Sequence, residues 1–101
     1  MKCVSYDLFF RNFANPERVN ILLALKEKPL SVGEISEKLN IEQSRISHAL
    51  ASLKHCSIVQ SEQKGKKRVY SLNKKTTVPL LNLVDEHTTC FCKGRHEKWK
   101  I

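Results

Sequence analysis

A chain of 101 residues has room for one compact domain and not for a second core. Its 41% hydrophobic and 28% charged residues exclude a disordered polymer, and no apolar run approaches the ~20 residues of a membrane span. The net charge of +8 is local: residues 42–75 contribute +6, residues 1–41 only +1, residues 76–92 give −2 and the tail from Lys93 gives +3. Such an excess suits a surface that meets a polyanion, although charge alone leaves nucleic acid, an anionic membrane and a solvated face all open.

Tyr6 to Phe13 has Tyr6, Phe9, Phe10 and Phe13 at helical spacing and reads as a short first helix. Asn15-Pro16 interrupts it, and Pro16 suits the first turn of a second helix, Glu17 to Lys28. That helix is apolar nearly all round and is expected to be the central buried one. Ser31-Val32-Gly33-Glu34 then forms a capping box that opens a third helix with Ile35 and Leu39 facing inward. Asn40 stands where a left-handed residue can end it. Only Ile41 and Glu42 precede the next periodic segment, so the two helices make a helix-turn-helix.

Within Gln43 to His55, Ile46, Ala49, Leu50 and Leu53 point to the core. The opposite face holds Ser44, His48, Ala51, Ser52 and His55, flanked by Arg45 and Ser47, and has no acid. A solubility face would mix Glu with Lys. Small side chains let a helix sit deep in a DNA major groove while Arg, Ser and His reach base edges and phosphates. Gln43, Ser44, Arg45, Ser47 and His48 are therefore the candidate readout residues. Ile58 to Gln63 and Lys67 to Leu72 read as a two-stranded hairpin around Lys64-Gly65-Lys66. Its Lys64, Lys66, Lys67 and Arg68 are candidates for the DNA backbone, adding affinity and salt dependence rather than sequence readout.

A last helix is expected from Thr77 to Phe91, with Pro79 in its first turn and Leu80, Leu83, Val84, His87 and Phe91 in one stripe. Together with the first helix's aromatics this is more apolar surface than one small domain covers. Phe9, Phe10, Phe13, Leu80, Leu83 and Val84 are accordingly expected in a homodimer interface. The fold class is thus mainly α with a small β-hairpin wing, a winged helix-turn-helix of about five helices. Residues 1–92 form the DNA-binding and dimerisation domain and residues 93–101 a basic tail.

Four cysteines, two of them one residue apart, do not form a secreted disulfide framework. Met1-Lys2-Cys3 does not open a signal peptide. The expectation is a cytoplasmic protein with reduced thiols, Cys56 being a small buried residue. His87, Cys90, Cys92 and His96, with Cys3 if the first and last helices pack together, form a candidate metal or redox site; zinc or another thiophilic ion would suit it. A phosphate-binding glycine loop and paired carboxylates are lacking, so an enzyme is not expected.

These segments resemble the ArsR/SmtB family of bacterial and archaeal repressors. Asn15-Pro16-Glu17-Arg18-Val19-Asn20-Ile21-Leu22 is similar to the family's DPTRLRIL, Leu30-Ser31-Val32-Gly33-Glu34-Ile35 to LSVGEL, and Gln43-Ser44-Arg45-Ile46-Ser47-His48-Ala49-Leu50 to QSTVSHHL. Ile58-Val59 and Val69-Tyr70-Ser71-Leu72 resemble its wing, so the likeness covers residues 5–90. The resemblance implies a dimeric repressor on an imperfect inverted repeat, released by an inducer that is often a metal ion or an oxidant. Ser44, Arg45, Ser47 and His48 take the readout positions. Two residues depart from the pattern: Ser57 stands at the family's glycine, and Glu42 at its Ser or Thr cap. The family's cysteine site in the first helix of the helix-turn-helix is absent. Of its last-helix site, Asp85 and His87 resemble one pair, while His96-Glu97 comes two residues early. A sequence-neutral architectural DNA binder, or a winged helix for protein contact without inducer, is the alternative.

Overall fold

The computed structural model describes residues 5–91. Its elements are α1 (Tyr6–Arg11), α2 (Pro16–Glu27), β1 (Leu30–Ser31), α3 (Val32–Leu39), α4 (Gln43–His55), β2 (Val59–Lys64), β3 (Lys67–Leu72) and α5 (Thr77–Cys90). All five expected helices form, and α4 has the expected bounds. The sheet differs from expectation. It has three antiparallel strands in the order β1-β3-β2, because Leu30 and Ser31 pair with Tyr70 and Val69. The hairpin is thereby tied to the start of α3 instead of projecting freely.

Local chemistry accounts for the boundaries. The Asn15 side chain accepts the Glu17 and Arg18 amides at 2.9 and 3.1 Å, and Pro16 occupies the first turn of α2, where its missing N–H costs nothing. Both halves of the α3 capping box are made: the Ser31 N–H donates to Glu34 Oε1 at 2.8 Å and the Glu34 N–H donates to Ser31 Oγ at 3.3 Å. Asn40 ends α3 in the left-handed region, φ 57°. Glu42 makes no side-chain cap bond at the start of α4, as its departure from a Ser or Thr cap implied.

The core gathers Ile21, Leu22 and Leu25 from α2, Ile35 from α3, and Ile46, Leu50 and Leu53 from α4, closed by Ile58, Val59 and Leu72 of the wing's base. Fully burying each such side chain is worth about 1.5–3 kcal/mol, so these residues fix how α4 sits. The expectation for α2 holds on most faces, but Leu23 is 40% exposed. At the foot of α5, Thr77 is buried and its hydroxyl donates to the Ile58 carbonyl at 2.8 Å.

Ser57 joins α4 to β2 with φ 59°, the left-handed conformation that a glycine takes freely. The turn is held by the Ser57 N–H donating to the Lys54 carbonyl at 2.9 Å and by Asn73 Nδ2 donating to the Ser57 carbonyl at 2.9 Å. The Ser57→Gly variant should therefore gain about 1 kcal/mol, a rise in Tm of roughly 4–8 °C by calorimetry. An unchanged or lower Tm would mean that the greater freedom of glycine in the unfolded chain outweighs the relief of strain.

Candidate nucleic-acid interface

The helix-turn-helix is α3 and α4. Its turn is short because Asn40 supplies the left-handed corner and Ile41 is half-buried against the core, while Ser36 Oγ donates to the Ile41 carbonyl at 2.5 Å. With Ile46, Ala49, Leu50 and Leu53 buried, all five candidate readout residues, Gln43, Ser44, Arg45, Ser47 and His48, are exposed along one side of α4. Ser52, expected on that outer face, is instead half-buried and donates to Asn12 Oδ1 at 3.1 Å. It lies about 100° round the helix from buried Leu53, at the margin between the two faces.

Beside α4, the first turn of α2 leaves an open cleft of about 300 Å³ lined by Asn15, Glu17, Ser44, Arg45 and His48 among others. Arg45 does not project freely into solvent there, because its Nη2 donates to Glu17 Oε2. Behind the cleft, buried Asn12 accepts from Arg18 Nη1 at 2.7 Å and donates to Cys56 Sγ at 3.5 Å, so the end of α1 is bonded to both α2 and α4. Sequence reasoning passed over Asn12 and Glu17. A polar residue in an interhelical turn and a first-turn acid look ordinary until their partners, far along the chain, are known.

The wing carries Lys64, Lys66, Lys67 and Arg68, all exposed. Gly65 takes φ 64° at its tip, so the chain reverses within Gly65 and Lys66. In the β2–β3 register Lys64 lies opposite Lys67. Like charges placed so oppose folding of the hairpin and are relieved by a polyanion. Lys67 is partly offset by Glu34 at 3.6 Å, and Arg68 Nη1 donates to Ser61 Oγ at 3.0 Å. Lys64 and Lys66 have no ion pair among the described residues. Glu34 thus serves α3 and the wing together; the Ser31 N–H first, and Lys67 with less effect, hold its carboxyl below the ordinary value.

The apolar candidates divide. Phe9 and Phe13 pack partly on the chain's own core and Leu80 is half-buried, whereas Phe10 (52%), Leu83 (61%) and Val84 (47%) are exposed, as are Tyr6 and Phe91. A salt bridge from Lys26 to Asp85 ties α2 to α5.

Of the candidate metal or redox residues, Cys3, Cys92 and His96 lie outside the described residues. His87 is exposed and stacks on Phe91 with ring centroids 5.4 Å apart, and Cys90 is an exposed free cysteine. Asp85 is engaged by Lys26, and among the described residues no three His, Cys, Asp or Glu side chains are grouped to hold an ion. The described part of α5 therefore offers two donors and does not by itself fit a metal. The expectation of reduced thiols does not hold at Cys56, which is half-buried at the end of α4 and disulfide-bonded rather than a small buried thiol. Among the described residues no helix is long and apolar enough to cross a membrane.

Residues 15–61 match the model of a family described as bacterial regulatory protein, arsR family. The chain is 35% identical over 86 residues to the HTH-type transcriptional regulator NmtR of Mycobacterium tuberculosis, a match spanning 82% of this chain and 72% of that protein. It is 39% identical over 69 residues to the transcriptional repressor SdpR of Bacillus subtilis, covering 68% and 74% respectively. Among solved structures, the homodimeric winged helix-turn-helix DNA-binding domain of Mb0332 from Mycobacterium bovis superposes with a TM-score of 0.78 at 20% identity, over 93% of this chain and 82% of that one. That likeness shows the fold: a winged helix-turn-helix.

Proposed function

The chain belongs to the ArsR family of bacterial regulatory proteins, which are DNA-binding transcription regulators and not enzymes, and from that premise we propose that it is a repressor that binds an inverted-repeat operator as a homodimer. The observation that carries this reading is the acid-free, exposed side of α4 beside a wing whose tip sets Lys64 opposite Lys67. Arg45 and His48 have the donors to read base edges, with Ser44, Ser47 and Gln43 available to bases or phosphates. Lys64, Lys66, Lys67 and Arg68 follow the backbone. Two such heads, related by a two-fold axis, enter successive major grooves roughly one DNA turn apart. Repression is supported by the name given to SdpR, and the homodimer by the assembly stated for Mb0332. Residues 1–92 act as the one DNA-binding and dimerisation domain, with residues 93–101 a basic tail. The finer part of the reading is release by a thiophilic metal ion or thiol oxidation at Cys90 and His87, with Cys92, His96 and Cys3.

The test is fluorescence anisotropy with reduced protein, using a duplex selected by the protein from a randomised pool and a scrambled duplex of the same composition. The expected result is at least 1,000-fold tighter binding to the selected duplex, the lower bound for specific regulators. Each wing lysine that contacts a phosphate should reduce the salt slope by about 1.8 when changed to Ala, about 0.9 for each of the two copies in the dimer. Added zinc that weakens binding in the wild type, but not with Cys90→Ser, Cys92→Ser, establishes metal release. Indifference to zinc with sensitivity to a mild oxidant establishes the thiol route, and indifference to both removes the inducer from the reading. Equal binding to both duplexes would replace a sequence-specific repressor with an architectural binder. Absence of binding at physiological salt would leave a domain for protein contact.

A further inference from the structure

Arg45 is the one arginine on the exposed side of α4, and its guanidinium is paired to Glu17 on a different helix. Glu17 is fixed at its base. Its own amide and that of Arg18 are both bound by Asn15 Oδ1, and Pro16 sets the first turn of α2. The neighbouring Arg18 does not compete for the Glu17 carboxylate among the described residues, since its guanidinium is committed to Asn12 at 2.7 Å. Glu17 is also the less exposed partner, 26% against 60% for Arg45, so the acid stands behind the arginine at the edge of the cleft.

We infer that Glu17 is a positioning residue that sets the specificity of DNA reading by holding Arg45 toward base edges and withholding it from phosphates. The inference rests on Arg45 being a readout residue. A guanidinium has five N–H donors in a planar fork, so a carboxylate that takes Nη2 leaves other donors to form a paired contact with guanine O6 and N7. A free arginine on a helix surface has many rotamers, and the nearest strong acceptors on any DNA are phosphates, which carry no sequence information. Glu17 acts against both tendencies. It restricts the rotamers before binding, and its negative charge repels the phosphate that Arg45 would otherwise take. The acid thus weakens binding to arbitrary DNA more than binding to the operator.

Two substitutions separate holding from repulsion. Glu17→Gln keeps the side chain's shape and removes the charge; Glu17→Asp keeps the charge and withdraws it by one methylene. Both are measured by anisotropy on the selected and scrambled duplexes across a salt series, with thermal unfolding as a check of the fold. In Glu17→Gln the scrambled duplex should bind several-fold tighter, with a salt slope steeper by about 1.8, one more phosphate contact for each copy of Arg45 in the dimer. Its ratio of selected to scrambled affinity should fall at least fivefold. In Glu17→Asp the ratio should fall through weaker binding to the selected duplex, with the scrambled duplex bound as before. Neither change should alter the ratio once Arg45 is Ala. A ratio unchanged in Glu17→Gln, or lowered equally with and without Arg45, overturns the inference while leaving Arg45 as a reader. An Arg45→Ala variant with an undiminished ratio overturns the reading role of Arg45 and this inference together.

Discussion

Changing Arg45 and His48 together to Ala should abolish most discrimination between operator and scrambled DNA while leaving the protein folded. Both side chains are exposed, neither contributes to the core, and α4 is held by Ile46, Ala49, Leu50 and Leu53 on its other side. Alanine is also the best helix former, so the substitutions do not weaken the helix. A well-made bidentate contact to a base contributes about 1–3 kcal/mol of discrimination, and a symmetric dimer makes each contact twice. Loss of the Arg45 contact alone should thus lower specific affinity about 30-fold or more, and the double change further. Scrambled-DNA affinity should change far less, because it resides in charges such as Lys64 and Lys66. Competition titrations at one salt concentration measure this directly. If operator and scrambled affinities fall by the same factor, Arg45 serves only as a phosphate contact and specificity lies elsewhere.

The features legible in the sequence are those whose causes are local. Ser31 and Glu34 are three residues apart and satisfy each other, and Asn40 takes a left-handed conformation at a helix end, so short windows contain the whole explanation. The 3.6-residue period alone assigned the buried and exposed sides of α4. What stayed hidden depends on distant partners. Leu30–Ser31 is a strand only because β3 lies beside it, some forty residues later, and after Lys28-Pro29 those two residues carry no strand signal of their own. The contact of Ser52 with Asn12 spans 40 residues and that of Arg45 with Glu17 spans 28, so neither leaves a periodic trace. The first helix is an intermediate case. Phe9 on α1 and Phe13 in the turn just beyond it both pack inward, while Phe10 lies about 100° round the helix from Phe9 and faces out.

That outward remainder leads to the second large effect. A chain with Phe10, Leu83 and Val84 changed to Glu should sediment as a monomer and bind the operator about 100-fold or more weakly. Phe10, Leu83 and Val84 are each about half exposed or more, and Tyr6 at the start of α1 and Phe91 just after α5 are more exposed still. Apolar side chains concentrated on α1 and α5 in this way mark a surface that association covers. A two-fold interface built on them, as proposed, would let two copies of α4 engage one operator together. The second head then binds at the high effective concentration set by the first, a gain of roughly 10²–10⁴ over a single head with no new contact. Glutamate at these positions makes the interface expensive, since each carboxylate would have to be desolvated without a partner. It does little to the protomer, because none of the three side chains belongs to the core. Analytical ultracentrifugation across a concentration series, beside anisotropy on full and half operators, separates the terms. The variant should bind full and half sites alike, whereas the wild type should prefer the full site. A variant that remains dimeric would place the interface away from α1 and α5. One that is monomeric yet still prefers the full site would show that the two heads are brought together by the DNA and not by the protein.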